Sequence, residues 1–414
     1  MLIVFLLICF LVPHEIALGG WDHRGQVGMF TRVFADDDDP TTDEHEFGVL
    51  SQLEVRLKER PWFLKLDVAG RSYADPEHSS PAQLNEAYVG FRQGSLRIHV
   101  GAQILDWSAT EAFHPADVVN SRNLDSRLQD PEKLGEPMIQ ISTRVSDVTL
   151  RLLMMPLVIS PQIPDSKSRM SPLPQGVAVG QARWLRQDGV FLEGDRAPQG
   201  ALVIENQMGD GDFHLHYLRH FNRSMPTTTF DLRTQELRLI YHEVDQLGLT
   251  VQYVFGDVVA KLEAADRRFG DDSPADMPGF EGPPDHQVVA LGFDYGFNQE
   301  DGSDSTFIIE GQSVLGVEKD QRAAIDLFQR DLLVAYRWSL NDVDSQEFLA
   351  SVIVDMEGRE ESLYSIQYKT RLGQMWTLEA SGRVVDAVPS PEGPSGLEIY
   401  HKSNLIELSL RRHF

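Results

Sequence analysis

The sequence predicts an all-β protein, an antiparallel transmembrane β-barrel of about 18 strands (roughly 16–20) with one inward-folded loop. Three observations carry that expectation. Apolar and polar residues alternate with period two in segments of about ten residues, the pattern of strands with one lipid face and one wet face. Short turns alternate with long polar loops along the chain. After the N-terminal segment, no apolar stretch approaches the roughly 20 residues of a transmembrane helix. A membrane chain without such helices has to close a sheet on itself, because only a closed barrel satisfies every backbone group in hydrocarbon.

The alternation is plain in Leu53-Glu54-Val55-Arg56-Leu57-Lys58, Leu64-Lys65-Leu66-Asp67-Val68 and Leu96-Arg97-Ile98-His99-Val100. It returns in Val148-Thr149-Leu150-Arg151-Leu152, in Phe213-His214-Leu215-His216-Tyr217 and in residues 236–242. Further on it runs through residues 249–255, 364–369 and 376–380. A soluble β-sandwich shows the same alternation, so connection lengths decide between the two. Short turns are expected at residues 92–95, 146–147, 209–211, 245–246 and 372–373. Long loops are expected at 35–46, 72–83, 104–137, 157–198, 258–285 and 387–396. Long loops on one side and short turns on the other are the asymmetry of an outer-membrane barrel. With both termini periplasmic, parity requires a first strand near residues 26–34 and one long final strand over residues 397–414.

Residues 2–12 form an unbroken apolar run, too short to span a bilayer and sized for the apolar core of a signal peptide. Ala17-Leu18-Gly19 places small residues where a signal peptidase cuts, so residues 1–19 read as a signal peptide and 20–414 as one barrel domain. No Lys or Arg precedes the run, and a buried N-terminal strand is the competing reading. Cys9 is the sole cysteine and leaves with that segment, so thiol, disulfide and Cys-based metal chemistry are not expected of the barrel. A net charge of -26 disfavours nucleic acid as a partner.

The last strand contains Leu408, Leu410 and Phe414 on one face with Ile406, and an aromatic closes it. This looks like the terminal signal read by the barrel-assembly machinery, although Arg412 stands where an apolar residue is usual. The second informative stretch is residues 101–120, carrying Gly101, Gln103, Trp107, Ser108, Thr110, Glu111, Phe113, Pro115, Asp117 and Asn120. It resembles a segment shared by porin-like proteobacterial outer-membrane proteins, some of them grouped with alginate-export-type porins. Residues 130–137 and 400–414 are similar to that family's following and final strands. The resemblance implies an outer-membrane barrel and a channel; it supplies no substrate.

An 18-strand barrel leaves an aqueous lumen that a folded-in loop can narrow. Residues 106–135 are the candidate constriction, with Trp107 and Phe113 as apolar anchors and Glu111, Asp117, Arg122, Asp125 and Arg127 as its charges. Glu111, Asp117, Arg122 and Arg127 are expected to face pore water, and a cap on the rim is the alternative. Lumen-lining charges are expected at Arg56, Lys65, Arg97, Arg151, Arg238, Lys369 and Arg383, interleaved with Glu54, Asp67, Glu236 and Glu379. Mixed signs predict modest ion preference, and a merely solvated sheet face would look the same residue by residue. Acidic loops (Asp36 to Asp39, Asp43, Glu44; Asp271, Asp272, Asp276, Glu281, Asp285) lack EF-hand spacing and read as solvated charge. His214 and His216 share a face, which is weak evidence for a metal.

The expected function is passive diffusion of small hydrophilic solutes, with no catalytic residue, cofactor or metal. The expected surroundings are outer-membrane lipid and lipopolysaccharide. The alternative is a structural sleeve in a multi-protein complex; an outer-membrane enzyme or a secreted β-sandwich follows behind. Mature protein should begin at Gly20 and fractionate with outer membranes. N-terminal sequencing that finds Met1 intact on cytosolic material overturns the reading.

Overall fold

A computed structural model of the chain describes residues 20–35, 42–75, 78, 81–174, 177–192, 194–270, 273–274, 277, 279–358, 360–388 and 395–414. The expected signal peptide and the acidic residues Asp36 to Asp39, Asp271, Asp272 and Asp276 lie outside the described residues.

Among the described residues, 18 long strands form one closed antiparallel barrel. They are β1 (Trp21–Phe34), β2 (His45–Glu59), β3 (Trp62–Tyr73), β4 (Ala82–Gln93), β5 (Leu96–Gln103) and β6 (Glu136–Val145). Then come β7 (Val148–Met155), β8 (Gln199–Met208), β9 (Gly211–Asp231), β10 (Glu236–Phe255), β11 (Val258–Phe269) and β12 (His286–Asn298). The set ends with β13 (Asp304–Leu315), β14 (Arg330–Ser339), β15 (Glu347–Asp355), β16 (Ser362–Leu372), β17 (Trp376–Asp386) and β18 (Leu405–His413). Each strand pairs with its sequence neighbours, and the seam closes where β18 pairs with β1, from Gln26↔His413 to Phe34↔Leu405. Closure leaves no barrel edge with unpaired N–H or C=O groups in lipid, where each costs several kcal/mol, at least ~2.

Register sorts the side chains. Met29, Phe47, Leu202, Leu247, Phe293, Ile309 and Ile366 point outward and are exposed, a lipid-facing band that water would penalise. Arg24↔Glu54 and Glu54↔Asp67 pair on the inner face, as do Arg97↔Ser142 and Ser142↔Arg151. The connections split by side as the barrel reading requires. Arg60-Pro61, Gly94-Ser95, Ser146-Asp147, Gly209-Asp210 and Gly256-Asp257 make tight turns at one end, while residues 104–135 and 156–198 leave from the other.

Three sequence expectations need correction. Asp245-Gln246 is not a turn. It lies inside β10, which with β9 builds a hairpin of 20 and 21 residues, the longest strands of the barrel. Outward-facing Asp245 is satisfied there by Arg219 (2.6 Å). Second, residues 258–269 are not loop but β11, whose alternation is masked because Ala260 and Ala264 face out while Ala265 faces in. Third, residues 397–414 are not one strand. Gly396–Tyr400 forms a short 3-10 helix that buries Leu397 and Tyr400 against Phe113 and Phe328, and β18 begins only at Leu405.

Beyond Val244 the edge of β10 loses β11 as a partner. Residues 183–185 and 178–179 pair with it in parallel, covering an edge that would otherwise template aggregation. Trp184 stacks on Tyr241 at 4.9 Å, in one buried cluster with Val158, Ala197, Phe221 and Leu239.

The seam carries a testable detail. A Cβ on Gly25 would lie 2.5 Å from the Phe414 ring, and Gly25 and Phe414 exchange both backbone hydrogen bonds (2.9 and 3.0 Å). Gly25→Val and Phe414→Asp should each lower the yield of folded, heat-modifiable barrel in outer membranes. Glu300→Ala, in a turn, should not. Equal yields for all three would refute a packing role for this pair.

Candidate functional site: a loop folded into the barrel

Residues 104–135 leave β5, cross the lumen and return to β6, bonding to the inner wall on many strands. A loop carried into a barrel brings its backbone N–H groups, and each left unpaired costs about 1–3 kcal/mol. Two wall carboxylates receive them. Glu263 on β11 accepts from Ala109 N–H (2.7 Å), Thr110 N–H (3.1 Å), Ala116 N–H (3.4 Å) and the Thr110 hydroxyl (2.8 Å). Glu310 on β13 accepts from Glu111 N–H (2.7 Å) and Ala112 N–H (3.1 Å). Both are 0% exposed. From β10 the Thr250 hydroxyl donates to Trp107 C=O (2.9 Å), and Arg267 of β11 donates to Pro115 C=O (3.0 Å).

The far end of the loop is tied to the seam. Arg32 of β1, 2% exposed, donates to Asp125 Oδ1 (2.6 Å), Asp125 C=O (3.1 Å), Glu407 (2.6 Å) and Glu46 (3.2 Å). Arg71 donates to Asp125 C=O (2.6 Å), and Tyr73 bonds the Asp125 carboxylate. Burial works against ionisation of Asp125, yet Arg32 and Arg71 hold its carboxyl below the usual range. Between these ends Gln129 bonds Ser351 (3.0 Å) and Ser365 (2.9 Å) on β15 and β16.

The residues that carried the family resemblance are largely those that pin this loop. Gly101 has φ +134, and a Cβ there would collide with Ala87 C=O, so only glycine permits the close β4–β5 approach. Asn120 staples the loop base, accepting from Leu105 N–H and donating to Gln103 C=O and Leu134 C=O, all at 2.8 Å. Trp107 packs on His214 and His216 at 4.8 and 4.6 Å, and Phe113 on Phe328 at 5.4 Å.

The expected pore-facing charges divide. Arg127 and Glu111 reach open space, Glu111 pairing with Arg337 (3.1 Å) and Lys261 (3.4 Å). Arg122 is partly covered, near Asp130 (3.4 Å). Asp117 does not face water. It is 2% exposed and paired with Lys133 and Arg122, and burial raises its carboxyl despite those cations. Asp125 is likewise buried as the tie just described. Asp117 is thus closed off by cations of its own loop, and Asp125 by guanidiniums of the wall.

Among the expected lumen charges, Arg56 and Lys65 pair with Glu54 and Glu86, and Arg151 with Glu205 (2.7 Å). Arg97 is exposed on the inner face and Lys369 borders a cavity of 340 Å3. Arg383 is held by Ser403 C=O (3.1 Å) beside that cavity. Arg238 is the exception. It sits on the hairpin extension, paired with Asp231 (2.6 Å), away from the lumen. Glu263, Glu310, Arg32 and Arg71 were missed by sequence reasoning. Glu263 was hidden by reading β11 as loop; the charged inward position of Glu310 in Phe307-Ile308-Ile309-Glu310 was a signal available in the alternation.

Open space remains between the loop and the wall. A cavity of 630 Å3 is bordered by Arg71, Asp106, Glu111, Arg127, Asp130 and Arg411. It shares Arg71, Arg127, Glu132 and Arg411 with the 340 Å3 cavity beside β16–β18. At the tight-turn end, 770 Å3 is bordered by Arg56, Lys58, Arg60, Lys65, Arg92 and Arg97, with no carboxylate in its lining.

On the long-loop side, His78 joins three connections, with Nε2 2.7 Å from Asp43 and Nδ1 3.0 Å from Asp165. Asp43, Asp75 and His78 are the group among the described residues whose ligand atoms lie close enough to hold a metal ion, within 4.8 Å of one another. Both His78 nitrogens already face carboxylates, which suits an imidazolium as well as a cation.

No family model matches the chain, and no curated protein matches it by sequence. Solved structures do match by shape. Pseudomonas aeruginosa OccD3 (OpdP) aligns over 95% of this chain and 91% of its own, with TM-score 0.52 and 11% identity. Engineered variants of the Rh. blastica porin align over 95% of this chain and 100% of theirs, with TM-score 0.44 and 8% identity. At these identities the likeness is one of fold, that of an outer-membrane barrel.

The His78 clasp gives a pH prediction. Its hydrogen bond to Asp165, against the opposing effect of burial, pushes the imidazole up to about 9. A raised folded value means the clasp is fully present below the ordinary value of about 6.5 and is lost as pH rises through about 9. A spin label at position 167 should gain mobility between about pH 7 and pH 10. His78→Asn should abolish that step; a step that persists in the variant refutes the clasp.

Proposed function

We propose that this barrel is a passive outer-membrane channel for small hydrophilic solutes, narrowed by residues 104–135, and that it performs no catalysis. The observation that carries the reading is the loop itself: bonded across the lumen on Glu263, Glu310, Arg32 and Arg71, it leaves a charged gap against the wall instead of sealing it. A chain whose lumen is crossed by its own loop has little room for a second protein, which disfavours the sleeve. The motif resemblance to porin-like and alginate-export-type proteins supports the same reading. Assembly by the barrel-assembly machinery and contact with lipopolysaccharide belong to this proposal.

Electrostatics refine it. The tight-turn mouth concentrates cations on β2–β5 within a chain of net charge -26. Glu54 and Glu86 offset Arg56 and Lys65, which leaves Lys58, Arg60, Arg92 and Arg97 to raise the local concentration of anions on this side of the mouth. The gap beside the loop, with Asp106 and Glu111 facing Arg71 and Arg411, carries both signs.

Purified protein in planar bilayers should conduct by itself. Deleting residues 108–129 should raise unit conductance severalfold while leaving a folded barrel. Replacing Asp106 and Glu111 with Lys should move the reversal potential further towards anions; Arg92→Glu with Arg97→Glu should move it towards cations. Silence of folded wild-type protein would overturn the channel. Unchanged conductance in the deletion variant would overturn the constriction.

A further inference from the structure

Within the inward loop, His114 stands between the barrel wall and the loop's own return limb. The backbone on either side of it is fixed. Phe113 packs on Phe328 at 5.4 Å, Arg267 donates to Pro115 C=O (3.0 Å), and Asp117 N–H donates to His114 C=O (3.2 Å). The side chain is 12% exposed and borders both the 630 Å3 gap and a second cavity of 300 Å3. Both ring nitrogens are buried, and neither has a hydrogen bond. Each faces a carboxylate instead. Nδ1 lies 3.9 Å from Glu263 of β11, and Nε2 lies 3.8 Å from Asp130, where the loop returns towards β6.

Ionised carboxylates offer acceptors only. A neutral imidazole, with one N–H and one lone pair, therefore suits one of these neighbours and repels the other. An imidazolium has a donor for each, and a closure of about 1 Å would bring both contacts to hydrogen-bond length. Glu263 sharpens the point. It is 0% exposed and accepts four bonds from the loop. Among the described residues, His114 is the one Lys, Arg or His side chain within ion-pair distance of it. The other carboxylates near the ring are already in pairs. Asp117 is held by Lys133 and Arg122, and Asp130 is reached by Arg122 (3.4 Å) and Arg127 (3.9 Å). Arg223, Arg267 and Asp326 complete the charged lining of the smaller cavity.

We propose that His114 is a positioning residue of the constriction: protonated, it ties the loop's return limb to Glu263 on the wall; neutral, it releases that tie. The assignment rests on the channel reading of residues 104–135 and adds a proton-dependent grip to it. Burial disfavours a charged imidazole here, but Glu263 and Asp130 outweigh it and raise His114 above its ordinary value. A raised value in the docked loop means that the tie is complete below about pH 6.5 and is lost as pH rises through the raised value. The passage is therefore held narrow in acid and slackens in alkali.

The test uses the full-length barrel in detergent with a spin label at position 108, beside the Ala109 and Thr110 N–H groups that Glu263 accepts from. The label should be held at about pH 5 and gain mobility in one step by about pH 9. His114→Gln, which keeps a polar side chain and loses the charge, should abolish the step. Asp130→Asn, at a 45% exposed site, covers the case in which His114→Gln fails to fold. It should move the step about one pH unit lower. His78→Asn should leave the step in place, which separates this tie from the outer clasp. Unit conductance in planar bilayers should rise over the same range and stay flat in His114→Gln. A step that persists in His114→Gln, that Asp130→Asn does not lower, or that His78→Asn removes would overturn the assignment. So would a label indifferent to pH, or a conductance that is measurable yet flat across the range. The label reads no current, so a silent channel would leave the tie standing, and an indifferent label would leave the channel standing.

Discussion

Every backbone N–H and C=O in this molecule has to find a partner, and two environments enforce the rule. In the membrane band water is absent, so the sheet must close, and β18 meets β1. In the lumen the long connection between β5 and β6 would leave N–H groups unpaired wherever it met the wall. Glu263 and Glu310 answer that need, each 0% exposed because each is wrapped by the groups it accepts from. Two carboxylates on β11 and β13, together with Arg32 at the seam, thus turn a loop into part of the wall. The gap that remains has its shape because those bonds hold the loop where it is.

This constraint explains what the sequence made legible and what it hid. Alternation in segments such as Leu53-Glu54-Val55-Arg56-Leu57-Lys58 reports a strand with one wet face, and unequal connections report the two ends of the barrel, so closure followed from local signals. The errors arose where local signals change meaning. Asp245-Gln246 looks like a turn because polar residues interrupt an apolar run, but Arg219 on the neighbouring strand satisfies Asp245 while Gln246 is buried on the other face. Strand β11 looks like loop because Ala260, Ala264 and Ala265 flatten the contrast between its faces. Leu397 and Tyr400 look like strand residues, yet their burial is tertiary, against Phe113 and Phe328.

The site was legible in outline. A stretch with Trp107, Phe113, Asn120 and alternating charge announces an ordered connection, and the structure shows why those residue types are there. Asn120 offers both donor and acceptor to three backbone groups; Trp107 and Phe113 fill wall hollows. The inward direction of individual charges was not legible. Asp125 is buried by Arg32 and Arg71 of the wall and Asp117 by Lys133 and Arg122 of its own loop, while Glu111 stays at the open gap beside Arg337 and Lys261, and nothing in the local pattern marks which cation each carboxylate will meet.

A ring of 18 tilted strands is a thin hoop, free to flatten into an oval under the lateral pressure of the surrounding bilayer. The loop spans that hoop. Its bonds to β11 and β13 at one end and to β1 and β3 at the other act as a tie-beam across the opening, with Gln129 on β15 and β16 as a side strut. The same segment that narrows the passage therefore stiffens its cross-section. Loosening either anchorage would soften the whole ring, changing how the barrel deforms as well as how wide it stands.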